Sequence, residues 1–115
     1  GERVRSKSEI IIADHLRRYG VVYKYEKPLE LTVHGRRVTF YPDFTVMNSR
    51  TGRIYYLEHF GMMDNEDYYN AVLRKLDAFE MNQLLIGRDV LLLHESSSAP
   101  LNTRVLDCYI QEYLV

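Results

Sequence analysis

The chain has 115 residues, a length that suits one domain with its own buried core. With 46% hydrophobic and 27% charged residues it reads as a globule rather than a disordered or fibrous chain, and no apolar run reaches the length of a membrane span. The net charge of −1 gives no global sign of nucleic-acid binding. The basic residues do come in small groups, Arg3 and Arg5 with Lys7, Arg17 with Arg18, Arg36 with Arg37, Arg50 with Arg53, and Arg74 with Lys75. They become a phosphate-binding face only if the fold gathers them. The single Cys108 rules out an intrachain disulfide and fits a reducing, cytoplasmic compartment. Its apolar helical setting reads as that of a buried structural thiol. A start at Gly1 without Met is what a domain cut from a longer protein would show.

Ser6-Lys7-Ser8-Glu9 opens the first periodic run, and Ser6 with Glu9 has capping-box spacing. The pattern predicts a helix from Lys7 to Tyr19, ended by Gly20, with Ile12, Ala13, Leu16 and Tyr19 inward. Glu9 shares that inward face, and it can also serve simply as the capping carboxylate. Residues 21–26 and 29–33 read as strands with Pro28 between them, and His34-Gly35 as a turn. Arg36 to Val46 reads as one long strand, residues 48–52 as a polar turn, and Ile54 to Phe60 as the next strand, closed by Gly61.

Asp64 is a suitable N-cap for a helix carrying Tyr69, Val72, Leu73, Leu76 and Phe79 on one face and ending near Asn82. A buried strand follows at 89–94. The last helix, about Asn102 to Leu114, turns Leu106, Ile110, Tyr113 and Leu114 inward. Helix, three or four strands, helix, strand, helix is the order of a compact α/β layer fold with helices on a mixed sheet. No internal domain boundary is visible, so residues 1–115 read as a single domain.

The stretch from Val38 to Gly61 holds the chemistry. Asp43 follows Pro42 on one strand and Glu58 sits near the end of the next, both within apolar and aromatic runs. Such carboxylates are costly to bury unless something pairs with them, and a divalent cation is the simplest shared partner. If Met47 faces Arg53 across the turn, Asp43 faces Leu57, one position short of Glu58. A one-residue bulge, or a turn one residue different, brings the two acids side by side, with facing Cβ atoms roughly 4.5–5.5 Å apart.

Glu9 on the first helix, Tyr41-Pro42-Asp43-Phe44 on one strand and Glu58-His59-Phe60-Gly61 on the next resemble the PD-(D/E)xK nuclease superfamily. The arrangement is most similar to small domains related to very-short-patch repair endonucleases. The resemblance covers most of the chain and implies a restriction-endonuclease-like αβββαβ core. It implies phosphodiester hydrolysis of nucleic acid, with DNA as the expected substrate and Mg²⁺ or Mn²⁺ as cofactor. Asp43 and Glu58 would be metal ligands, the His59 backbone carbonyl a further donor, and Glu9 a direct or water-mediated one. Carboxylates and water suit a hard cation, and one nearby His without Cys argues against zinc.

The chain departs from that pattern at Phe60, where the family carries Lys. Lys75 on the following helix is the first substitute, ahead of His59, which strand parity turns to the opposite face, and Lys7. The departure keeps two other readings open. One is a catalytically inactive module of the same fold that binds nucleic acid or a partner protein. The other is an α/β domain in which Asp43 and Glu58 are salt-bridged, to Arg36 or Arg53. No membrane association is expected.

Overall fold

The computed structural model describes residues 6–115, so Arg3 and Arg5 lie outside the described residues. Helix α1 (Lys7–Arg18) starts where Ser6 Oγ accepts the Glu9 N–H and donates to Glu9 Oε1, both at 3.0 Å. This is the cap that the Ser-x-x-Glu spacing predicts. Ile12, Ala13 and Leu16 are buried as expected. Tyr19 is not: it is the C-cap and is exposed, because Gly20 in the left-handed region turns the chain away.

Six strands follow: β1 (Val22–Tyr25), β2 (Leu29–Val33), β3 (Arg36–Phe40), β4 (Phe44–Met47), β5 (Ile54–Phe60) and, after helix α2 (Glu66–Met81), β6 (Val90–His94). The expected single strand over 36–46 is therefore two. Pro42 has no N–H to give a ladder, and the chain leaves one sheet for another across Tyr41 to Asp43. β2 and β3 form a separate antiparallel hairpin. Its two-residue loop places both His34 and Gly35 at positive φ, as a tight primed turn requires.

The main sheet has the order β1-β4-β5-β6. Its first two pairings are antiparallel, and β5–β6 is parallel with α2 as the crossover. The protein is thus a mixed α/β structure: a mixed sheet with three α-helices among the described residues. None of these helices is long and apolar enough to cross a membrane.

Strand parity sorts the two sides of the sheet. Phe44, Val46, Tyr55, Leu57, Leu91 and Leu93 face α1 and α3 (Thr103–Tyr109). Tyr56, Val90 and Leu92 face α2 and the hairpin, where Leu31, Ala78 and Phe79 complete a second core. The inward side of α2 centres on Val72, Ala78 and Phe79, with Lys75 and Leu76 half-buried. Tyr69 and Leu73, expected inward, are 43% and 41% exposed. The contact stripe runs one position round from the one the apolar residues mark. The α2 N-cap is Asn65, whose side chain accepts the Tyr68 N–H, while the expected cap Asp64 accepts from Ser97 instead.

The last helix does not run uniformly to Leu114. α3 passes into a π-helical turn, Ile110–Leu114, which keeps Ile110 and Leu114 buried. Cys108, expected buried, is exposed: Leu106 and Ile110 define the inward side, and a residue midway between them points away.

β4 and β5 pair with Phe44 opposite Leu57 and Met47 opposite Ile54. The next pair outward is Asp43 with Glu58, so no bulge is needed; the turn itself differs by one residue. Asn48 sets it. Its N–H donates to Arg53 O at 2.9 Å and its O accepts the Gly52 N–H at 2.7 Å. Its buried side chain accepts from the Arg50 and Thr51 N–H groups and donates to Tyr113 O at 2.9 Å. Replacing it leaves partly buried backbone groups without partners. Asn48→Ala should cost about 1–3 kcal/mol, read as a lower urea midpoint with an unchanged slope.

Candidate functional site

Glu58 is the one fully buried charged residue in the described structure, at 0% exposure. β5 is central in the sheet, and Glu58 falls on the side facing α2. Two residues, Lys75 and Asp43, define its state. Lys75 Nζ, reaching inward from α2, donates to Glu58 Oε2 at 2.8 Å. The Asp43 N–H approaches the same oxygen at 3.4 Å. The Asp43 carboxyl lies close enough to the Glu58 carboxyl to raise its pKa.

Burial pushes the Glu58 pKa up to about 8 from 4.5; Lys75 opposes that rise and Asp43 adds to it. Two neighbouring carboxyl groups need a proton or a cation between them. Glu58 Oε1, buried, finds no donor among the described residues.

Asp43 is held from the strand beside it, where the His59 N–H donates to Asp43 Oδ2 at 2.7 Å. Lys75 is held by its short link to Glu58 and by a longer one to Tyr41 O at 3.4 Å. Its side chain is 22% exposed, so the aliphatic stem lies along protein while the ammonium stays at the edge of a small cavity. Asp43, Phe60, Tyr68 and Lys75 line that cavity of about 170 Å³.

The structure brings Asp43, Glu58 and Lys75 together. Neither Arg36 nor Arg53 is the partner of these acids; Arg53 pairs with Asp89. His59 stands apart from Glu58, as strand parity requires: its Nε2 meets Glu95 Oε1 at 2.7 Å on the α1 side. Ser8 Oγ donates to the same Glu95 oxygen, and these bonds hold the Glu95 carboxyl below its usual range. Gly61 packs closely beside this ring. A Cβ there would lie 3.1 Å from His59 Cε1, and the Gly61 N–H donates to Tyr68 Oη at 3.0 Å.

Glu9 lines a larger polar cavity of about 580 Å³ with Asp43, His59, Tyr68 and Glu95. One Glu9 oxygen accepts from Ser6, and the other, Oε2, is buried with no donor among the described residues. Lys7, the third substitute, also lines this cavity, on the exposed side of α1. Asp43, His59 and Tyr68 border both cavities, so the two meet at the end of the β4–β5 ladder. Among the described residues no three His, Cys, Asp or Glu side chains converge closely enough to ligate one ion.

Glu95, Ser8 and Tyr68 carry no mark in the sequence. Glu95 reaches the site because β6 pairs in parallel with β5, with His94 opposite Phe60 and the Glu95 N–H on Phe60 O at 2.9 Å. No turn fixes a parallel register, so local sequence gives no signal for it. Comparison with protein-family models and with curated proteins returns no match for this chain.

The raised Glu58 pKa has a definite sign in stability. The folded state holds a proton that the unfolded chain releases, so its contribution is fully present below about 4.5 and is lost as pH rises through about 8. Glu58→Gln keeps the shape and an acceptor for Lys75 without the charge. Urea titrations from pH 4 to 9 should show wild-type stability falling across that window, a flatter profile for Glu58→Gln, and the variant gaining relative to wild type at the alkaline end.

Proposed function

We propose that this domain hydrolyses phosphodiester bonds in nucleic acid with a divalent cation, as a PD-(D/E)xK-type nuclease whose lysine has moved from the strand to the following helix. The observation that carries the proposal is the Lys75–Glu58 contact at 2.8 Å, beside Asp43. Phe60 occupies the family's lysine position and lies buried, and a cation from α2 reaches the acid pair instead. The element order supports the finer fold reading. α1, β1, β4, β5, α2 and β6 follow the order of a restriction-endonuclease-like αβββαβ core, with the β2–β3 hairpin inserted after its first strand.

The donor set fits a hard cation such as Mg²⁺ or Mn²⁺. Two neighbouring carboxyls, and a buried Glu58 oxygen with no donor among the described residues, ask for positive charge; no thiol is near, and the His59 ring is engaged by Glu95. Asp43 and Glu58 would hold the ion, since Mg²⁺ commonly takes one or two carboxylates and fills its remaining positions with water and phosphate. Glu9 borders the adjoining cavity and would act through water. When bound, such an ion polarises a phosphoryl oxygen and acidifies water.

The chain's own groups supply the rest. The Lys75 ammonium would meet the negative charge that grows on the phosphate oxygens as water adds to phosphorus, losing its proton to solvent, and the bond to the leaving alkoxide breaks. A fixed charge at that point stabilises the transition state more than the ground state. The His59 N–H fixes the Asp43 carboxylate in place. Glu58 must lose its proton to hold a cation, so cation binding strengthens as pH rises towards 8.

The lack of a three-ligand cluster among the described residues favours a second reading, a module of the same fold that binds nucleic acid or a partner protein without cutting. Millimolar Mg²⁺ or Mn²⁺ should raise the melting temperature of the wild type, more at pH 8 than at pH 6, and not that of Asp43→Ala. Labelled DNA and RNA should be cleaved in the same buffers. Lys75→Met should lower turnover on the order of 10²-fold or more while the cation-dependent rise in melting temperature remains. A wild type that cuts neither polymer under these conditions leaves the binding module as the reading.

A further inference from the structure

A second cavity, on the α2 side of the sheet, is distinct in character from the acidic one. It lies between the β2–β3 hairpin and α2 and has a volume of about 560 Å³, within the range of sites that enclose small ligands, about 300–1,000 Å³. Val38 and Phe40 form one wall, and Ala71, Ala78 and Met81 the other. Val38 and Met81 are 39% and 44% exposed, so the apolar walls meet solvent rather than each other. The polar and charged side chains on the groove are His34 from the hairpin loop and Arg74, Lys75 and Asp77 from α2. Arg74 has no ion-pair or hydrogen-bond partner among the described residues.

Ala71 and Lys75 border both this groove and the small cavity of the candidate site. The two spaces are therefore neighbours across one turn of α2. A ligand spanning them would place an anionic group by Lys75 and an apolar body between hairpin and helix. A nucleotide unit combines these features: a phosphodiester joined to a flat ring with apolar faces and polar edges. Arg74 offers a cation to the adjoining phosphate or the face of the ring. Asp77 offers an acceptor to an exocyclic amino group.

We propose that the groove between β2–β3 and α2 receives one unpaired nucleobase of the nucleic acid, next to the phosphodiester held by Lys75. This rests on the nuclease-fold reading above and narrows its substrate to strands that can present an unstacked base. The groove is walled on both sides, so a base can enter only after leaving its partner and its stack. Apolar and aromatic contact with such a base is worth about tenfold or more in affinity.

The test is a titration of the whole domain with a short single-stranded deoxyoligonucleotide, followed by NMR of the Val38, Ala71 and Met81 methyl groups. Ring currents from an inserted base should shift all three. The same sequence as a blunt duplex should leave them unmoved. An oligonucleotide with one abasic position at the bound step should bind about tenfold more weakly than the intact strand. Val38→Glu and Met81→Glu, one on each wall, should each remove the methyl shifts and the difference between intact and abasic strands. Melting curves identify the folded variant, and either one suffices.

Methyl groups that do not move with the single strand, or an abasic strand bound as tightly as the intact one, overturn the proposal, as does undiminished binding by a folded variant. Equal shifts with the blunt duplex overturn the requirement for an unpaired base. Cleavage is scored separately. Cutting without groove shifts overturns the groove and leaves the nuclease reading standing, whereas groove shifts without cutting uphold the groove and favour the non-catalytic module.

Discussion

A carboxyl group fully inside a protein is tolerated only with compensation, and the burial of Glu58 in the central strand is the constraint on which the rest of this structure turns. The compensation comes from three directions. β4 delivers Asp43 alongside, α2 delivers Lys75 from above, and a proton fills the remaining need at neutral pH. Each source depends on a different piece of architecture. The β4–β5 register depends on the Asn48 turn, and the placement of Lys75 depends on the parallel crossover that lays α2 across the sheet. A pair so arranged is a poor stabiliser, because desolvation offsets much of the attraction. On the proposed function, its retention in a core position would prepare a place for a bound cation beside Lys75.

The two sides of the sheet divide the labour. The α1 side carries the larger core and the Ser8–Glu95–His59 chain of hydrogen bonds. The α2 side carries Glu58, Lys75 and the groove under the hairpin. Asp43, at the end of its strand, borders cavities on both sides and is tied to His59 through the backbone. The site therefore sits at the open end of the sheet. There a strand ladder stops, and backbone and side chains can meet a ligand without breaking the core.

Much of this was legible in the sequence where one local rule governed. The capping box at Ser6 and Glu9, the turns at Gly20 and Gly35, the strand at 29–33 and the inward residues Ile12, Ala13 and Leu16 follow from short-range patterns. The Asp43–Glu58 pairing followed from counting across one turn, to within the residue that the Asn48 hydrogen bonds decide. Lys75 was reachable through its position beside the apolar stripe of α2. What escaped is non-local. Arg36 to Val46 reads as one run because nothing in its alternation says that its halves join different sheets. Tyr69 and Leu73 mark a face by composition that the helix, set by Phe79 and Ala78 against Leu31, does not use. Glu95 enters through a parallel register that no neighbouring residue encodes.

The break at Tyr41–Asp43 has one more consequence. The hairpin's strand hydrogen bonds are all between β2 and β3, so it belongs to no larger ladder. Side chains hold it to the rest of the chain, chiefly Leu31 against Phe79 and Ala78, with Asn82 bridging to the Thr32 backbone. An isolated two-stranded ribbon is barely stable in water. Its persistence is therefore borrowed from α2, and undocking needs to break few hydrogen bonds outside the ribbon. In the language of cooperative units, hairpin and helix would form one subglobal module, joined to the four-stranded sheet through Tyr56 and Val90. The acid pair belongs to the sheet and its lysine to the module. A fluctuation that loosens the module would uncouple the cation from the acids without unfolding the core.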